Sequence, residues 1–232
     1  MTPFQREQLT LIRQMERAFA SGASASTIVP MQADYKNDTQ MCLTCVTFVP
    51  KEIAGTIRTK LVSSLSAIEP DFYYYPENAF HVTIQNIRII HDPPHFGSSE
   101  ITKAKELLST SVGQHGPLTF EFSGLLSLPT SLALIALTSP EFDQFVKSLR
   151  RELILAGIPD DKKYFTEEII FANTTICRYT HQPSKKFIDE VQKHTSEFFG
   201  ILTAKEVSLI QTNAGAHPSK TTVFGTYPFK KM

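Results

Sequence analysis

The sequence predicts a two-lobed α+β fold with a cleft between two matching strands. Three observations lead there. Phe80-His81-Val82-Thr83-Ile84 alternates in the manner of a strand, and residues 171–176, Phe-Ala-Asn-Thr-Thr-Ile, keep the same rhythm in the second half. Around each stands the same succession of strand, helix, motif strand and helix, which reads as an internal duplication. Two lobes that each carry one motif strand then meet across a groove.

Composition narrows the field. The chain has 232 residues, 41% hydrophobic and 20% charged, ordinary for a globular protein with a sizeable core. Lysine plus arginine (23) equals aspartate plus glutamate (23), so no global positive field exists to hold long nucleic acid by counterion release. A small or short phosphorylated ligand needs only a local cluster. The three cysteines, Cys42, Cys45 and Cys177, do not make a disulfide scaffold and favour a reducing compartment. Cys42-x-x-Cys45 sits on a strand, where the sulfurs point to opposite faces, and no second cysteine pair completes a zinc site. His91, His95, His115, His194 and His217 lack metal-ligand spacing, so neither metal nor cofactor is expected. The absence of a long apolar run predicts no membrane span, and no secretory leader is visible. A cytoplasmic location and a monomer are the resulting expectations.

Taken in order, residues 1–22 form an amphipathic helix through Phe4, Leu9, Ile12, Met15 and Phe19, and a Ser/Ala/Gly stretch follows. This helix and linker, 1–40, stand apart from a single two-lobed domain over 41–232. The helix is expected to cap that domain, with partner recruitment and loose attachment as alternatives. Met41–Val49 is an apolar strand, Pro50 starts a helix to about Ser66, and the aromatic run Asp71–Tyr75 leads through Pro76-Glu77-Asn78 into the first motif strand, 80–90. A helix from Ser99 to Val112, capped by Ser98 or Ser99, closes the first half. The second half has strands at 118–123 and 132–137, a helix from Pro140 to Ala156, and a break at Gly157-Ile158-Pro159-Asp160-Asp161. The second motif strand lies within 165–178, centred on 169–178, and is followed by a helix at 183–198 and strands at 205–211 and 221–229.

The chemistry resides in the motif strands. Side chains two apart on a strand share a face, so His81 and Thr83 stand together, away from Phe80, Val82 and Ile84. An imidazole moves a proton and a hydroxyl holds a phosphate oxygen. Tyr75 to Ile84, Phe171 to Arg178 and Gly225-Thr226-Tyr227-Pro228-Phe229 together resemble the two-histidine phosphoesterase superfamily, which includes 2′-5′ RNA ligase-like proteins and cyclic nucleotide phosphodiesterases. The resemblance spans about Met41 to Phe229. It implies antiparallel sheets facing a central cleft, with helices outside. It also implies metal-independent acid–base chemistry on a nucleotide or short RNA bearing a 2′,3′-cyclic phosphate or a 2′-5′ linkage. On that basis His81 and Asn173 hold the catalytic positions, and Thr83, Thr175, Arg178 and Tyr227 hold substrate.

Asn173 is the departure, because it stands where the second histidine belongs. An amide has no accessible pKa and can only hydrogen-bond. General acid–base assistance is worth about 10²–10⁴-fold, so the two-proton mechanism is weakened unless Arg178, His181 or Tyr227 fills in. The alternatives are a catalytically inactive module that binds a nucleotide or an RNA end, and a scaffold whose N-terminal helix recruits a partner.

Overall fold

A computed structural model describes residues 1–231 of the chain. The first helix, α1 (Pro3–Ala20), starts at a Thr2 cap: its hydroxyl accepts from the Gln5 amide while the Gln5 side chain accepts from Thr2 N–H. A linker leads to β1 (Met41–Phe48). The helix α2 (Lys51–Ile57) runs through a π-helical turn at Arg58–Val62 into α3 (Ser63–Ile68), without a break. Then come β2 (Tyr73–Tyr74), β3 (His81–His91) and α4 (Ser98–Ser111). The second half holds β4 (Leu118–Leu128), β5 (Ser131–Leu137), α5 (Pro140–Leu155), β6 (Ala172–Arg178) and α6 (Lys185–Lys193). The strands β7 (Phe198–Ala204), β8 (Glu206–Thr212) and β9 (Thr222–Pro228) close the chain.

The strands form two antiparallel sheets, one in the order β3-β1-β8-β9 and one in the order β2-β6-β5-β4-β7. The α+β architecture with two sheets is the one expected, but the halves exchange strands. The first half gives β2 to the sheet of the second motif, and the C-terminal β8 and β9 complete the sheet of the first. One large apolar cluster covers one face of both sheets, taking Leu43, Cys45, Val82 and Leu209 from one and Phe120, Leu134 and Ile176 from the other. Leu61, Leu65, Leu108, Phe145, Leu149 and Phe187 join it from the helical segments between α2 and α6.

Several elements depart from the sequence reading for identifiable reasons. β4 continues to Leu128 because Gly124, at φ +80°, makes a bulge where the strand turns past the Thr195 carbonyl. A Cβ at Gly124 would lie 2.9 Å from that oxygen. The helix α6 stops at Lys193, short of the expected 198, and the stretch left unassigned before 205 is the strand β7, whose Phe199, Leu202 and Ala204 are drawn into the core by pairing with β4. Residues 165–171 are a loop rather than a strand, and the Ile170 amide donates to the Asp143 carboxylate instead of to a ladder partner. Gly97, not a serine, caps α4, with the Glu100 carboxylate accepting its N–H. The strand β3 also runs one residue further, to His91.

One helix is not outside. Ile135 pairs with Asn173 and Ala133 with Thr175, so these residues share the cleft-side face of their sheet. Ile12 and Met15 of α1 pack on Ala133, Ile135 and Leu137 on that face. The docking is polar as well as apolar. Gln8 is fully buried; its amide donates to the Thr138 hydroxyl (2.6 Å) and the Ile170 carbonyl (2.8 Å) and accepts from Thr138 N–H (3.0 Å). The helix therefore caps this sheet from the cleft side. A Gln8→Ala variant leaves these groups unpaired in the interior and is expected to lose about 1–3 kcal/mol. A lower denaturant midpoint at unchanged slope checks this.

Candidate active site

The two motif strands line one cavity of about 250 Å³. His81, Thr83 and Asn86 enter it from β3, Asn173, Thr175 and Arg178 from β6, and Cys42 and Thr44 from β1. The pairing explains this convergence. Across the first sheet Cys42 faces Thr212, Thr44 faces Asn86, Val46 faces Thr83 and Phe48 faces His81, while the intervening Leu43 and Cys45 go to the core. Cys42 and Cys45 thus point apart, and burial pushes the Cys42 thiol up to about 11, which leaves it a protonated, unreactive wall.

His81 is half-buried, and its Nδ1 lies 2.8 Å from the Ala79 carbonyl. A carbonyl only accepts, so Nδ1 carries the proton and Nε2 offers its lone pair. Burial lowers the pKa of the ring below the ordinary histidine value; the Ala79 carbonyl partly opposes this and the Arg178 cation adds to it. The imidazole is thereby kept neutral, as a proton acceptor requires. The Tyr75 ring stands 6.4 Å from the imidazole, centroid to centroid.

Arg178 is fixed from behind: its Nε donates to the Ala214 carbonyl and to the Tyr75 hydroxyl (3.2 Å), and that hydroxyl itself donates to Ala214. The terminal nitrogens of the guanidinium make no ion pair or hydrogen bond with protein among the described residues. The side chains of Thr83, Thr175 and Asn173 likewise make no hydrogen bond there, so their polar atoms remain available to a ligand.

A residue that sequence reasoning passed over completes the set. Lys162, on the loop between α5 and β6, lines the same cavity. The loop is clamped to β3, which forms one edge of its sheet. The Asp160 carboxylate accepts from the Gln85 amide (2.6 Å), the Tyr164 hydroxyl (2.7 Å) and the Lys162 N–H (2.9 Å), and Asp161 accepts from Ile89 N–H (2.9 Å). Among the described residues no aspartate or glutamate lines the cavity, whereas His81, Lys162 and Arg178 all do. Phe19, Thr27, Ile28 and Val29, from the end of α1 and its linker, form a further wall.

Two of the residues singled out from sequence lie elsewhere. Tyr227 is on β9 opposite Val207, which belongs to the core, and its phenol packs over Gly225 outside the cavity lining. His181 sits past the end of β6, half-exposed, 3.5 Å from the Glu69 carboxylate and against the Phe72 ring. Neither lines the cavity with Asn173. Among the described residues no three His, Cys, Asp or Glu side chains converge as a metal-binding group.

No protein-family model matches the sequence, and a search of curated proteins finds no similar one. Solved structures do share the fold. TT0787 of Thermus thermophilus superposes with a TM-score of 0.58 at 16% identity, over 81% of this chain and 97% of its own. A phosphoesterase superposes with a TM-score of 0.56 at 11% identity, over 83% and 99%. E. coli LigT in complex with 3′-AMP gives 0.53 at 12% identity, over 84% and 100%, and LigT has also been solved with phosphate and with ATP. The chain thus has a LigT-like phosphoesterase fold, with mixed helices and antiparallel sheets.

The histidine makes the local electrostatics measurable. In an NMR pH titration the His81 ring is expected to show a midpoint below about 6.5. Arg178→Gln removes one of the lowering causes and should move the midpoint up part of the way, burial being the larger cause. An unchanged midpoint in the variant would disprove the coupling.

Proposed function

We propose that this protein is a phosphodiesterase-like enzyme acting on a nucleotide or short RNA with a 2′,3′-cyclic phosphate or a 2′-5′ linkage, by metal-independent acid–base chemistry. The observation that carries this reading is the cavity's charge. His81, Lys162 and Arg178 line it with two threonines, Thr83 and Thr175, whose hydroxyls are unpaired, and among the described residues no carboxylate accompanies them. Such a lining suits a phosphate, whose oxygens accept hydrogen bonds and whose negative charge is stabilised by fixed cations. The likeness of fold to phosphoesterase and LigT structures supports the reading.

In this mechanism Thr83, Thr175 and Arg178 hold the non-bridging oxygens. His81, neutral and with Nε2 free, takes the proton of an attacking water as its oxygen bonds to phosphorus. Asn173 steadies the phosphate through its amide without moving a proton. The wall from α1 and the linker narrows the cleft, which favours a nucleotide or a single-stranded end over a duplex.

The test is turnover of a 2′,3′-cyclic nucleotide and a 2′-5′ dinucleotide by the full chain. His81→Ala is expected to lower turnover by at least about 10²-fold. The acid limb of the kcat/KM profile should fall below about 6.5, since the base must be deprotonated and its pKa is depressed. Asn173→His should raise turnover by restoring a second titratable ring. Nucleotide binding without any turnover would assign the protein instead to the inactive binding module, a reading favoured by the amide at position 173.

A further inference from the structure

Asn173 leaves one proton unaccounted for. Breaking the bond to the leaving oxygen of an alkyl phosphodiester puts negative charge on a strongly basic alkoxide, which needs a proton as it departs. From the geometry of the loop between α5 and β6 we infer that Lys162 supplies that proton and is a catalytic residue of the site. The inference rests on the phosphoester reading above and deepens it.

Three observations converge on Lys162. First, it lines the same cavity as His81, Thr83, Asn173 and Arg178, the space that the proposed function assigns to the phosphate. It also lines the adjoining cavity with Thr83, Asn86 and Asn173, which places it on the side of the missing histidine. Second, its backbone is held on both sides. Lys162 N–H donates to Asp160 (2.9 Å), while Lys163 N–H donates to the Thr27 hydroxyl (2.9 Å) and Lys163 O accepts from Thr27 N–H (2.9 Å). Arg150 stiffens the loop further, its guanidinium lying 3.8 Å over the Tyr164 ring and its Nε donating to Gln85 (2.8 Å). Third, this anchoring leaves the ammonium itself unengaged. Among the described residues it makes no ion pair and no hydrogen bond, only a cation–π approach of 5.3 Å to Tyr164. A lysine on a well-tied loop thus lines a cavity that no carboxylate of the described residues lines, with no ion pair or hydrogen bond to hold its ammonium.

The groups that face Lys162 are Asp160 and Tyr164 from its own loop, Arg150 from α5, Cys42 from β1 and Arg178 from β6. Burial lowers the pKa of the ammonium; Asp160 opposes this and the two arginines reinforce it. A lowered pKa makes the ammonium a stronger proton donor than an ordinary lysine.

The step balances. Water attacks phosphorus opposite the leaving group, and His81 Nε2 takes the water's proton as the new P–O bond forms. The bond to the leaving oxygen breaks with its electron pair on that oxygen, which receives a proton from the Lys162 ammonium. The imidazolium and the neutral amine that result exchange a proton through solvent, and the site is reset.

The experiment compares two probes with the full-length protein. In 2′,3′-cyclic AMP the leaving group is an alkoxide; in bis(4-nitrophenyl) phosphate it is a weakly basic phenolate that leaves without a proton. Lys162→Gln is expected to lower kcat on the cyclic nucleotide by about 10²–10⁴-fold and on the aryl diester by less than about tenfold. The ratio of the two is read from one sample, so it is independent of the folded fraction. Lys162→Arg should not recover the cyclic nucleotide, because a guanidinium keeps its proton, and the alkaline limb of the kcat profile should vanish in Lys162→Gln. Equal losses on both probes, or recovery by arginine, would show a charge clamp only and overturn the inference while leaving the phosphoester reading intact. No turnover of either probe by the unmodified protein overturns both.

Discussion

Antiparallel pairing in register is the constraint on which everything else in this structure depends. Because side chains alternate along a strand, one register directs Leu43, Cys45, Val82 and Leu209 to the core and sends Thr44, Thr83, Asn86 and His81 into the cleft. The same holds for the second sheet, where Ile135–Asn173 and Ala133–Thr175 set the cleft face and Leu134 the core. A slip of one residue on either strand would bury the polar row and expose the apolar one, so core burial fixes the position of the site. The bulge at Ile84, between the Val46–Thr83 and Cys45–Gln85 pairs, is tolerated because Ile84 still reaches the apolar side.

The cleft concentrates positive charge that the chain as a whole does not possess. Net charge is zero, yet the cavity holds an arginine, a lysine and a histidine with no acid among the described residues that line it. Such an arrangement costs energy, since burial disfavours the charged forms of His81 and Lys162 and the cations repel one another. It persists because each cation is held by something other than a countercharge. Arg178 is held by the Ala214 carbonyl and Tyr75, and Lys162 by the hydrogen bonds of its loop. Under the proposed function, an anion entering the cleft would relieve that repulsion.

Much of this was legible from single strands. His81 with Thr83 and Asn173 with Thr175 were readable because period-two alternation is local and needs no knowledge of neighbours. Arg178 was readable from its register in the same strand. Lys162 was not, for Asp160-Asp161-Lys162-Lys163 has the look of a solvated charged run, and only the edge of β3 and the Gln85–Asp160 contact turn it inward. Tyr227 was placed on a strand correctly, but the face it takes is decided by its pairing with Val207. The helix α1 was legible as amphipathic, yet its partner surface, the cleft side of the second sheet, is set by the buried Gln8 and by the distant Thr138 and Ile170 that it bonds.

By itself the sequence determined the alternation, and with it which residues could stand together on each motif strand, along with most helices and the α+β class. Those properties depend on periodicity within a few residues. Tertiary structure alone decided which strands share a sheet, that the halves trade β2, β8 and β9, that α1 walls the cleft, and that a lysine lines the same cavity as the asparagine. These outcomes come from long-range pairing and from buried polar groups seeking partners, and no stretch of chain carries that information by itself.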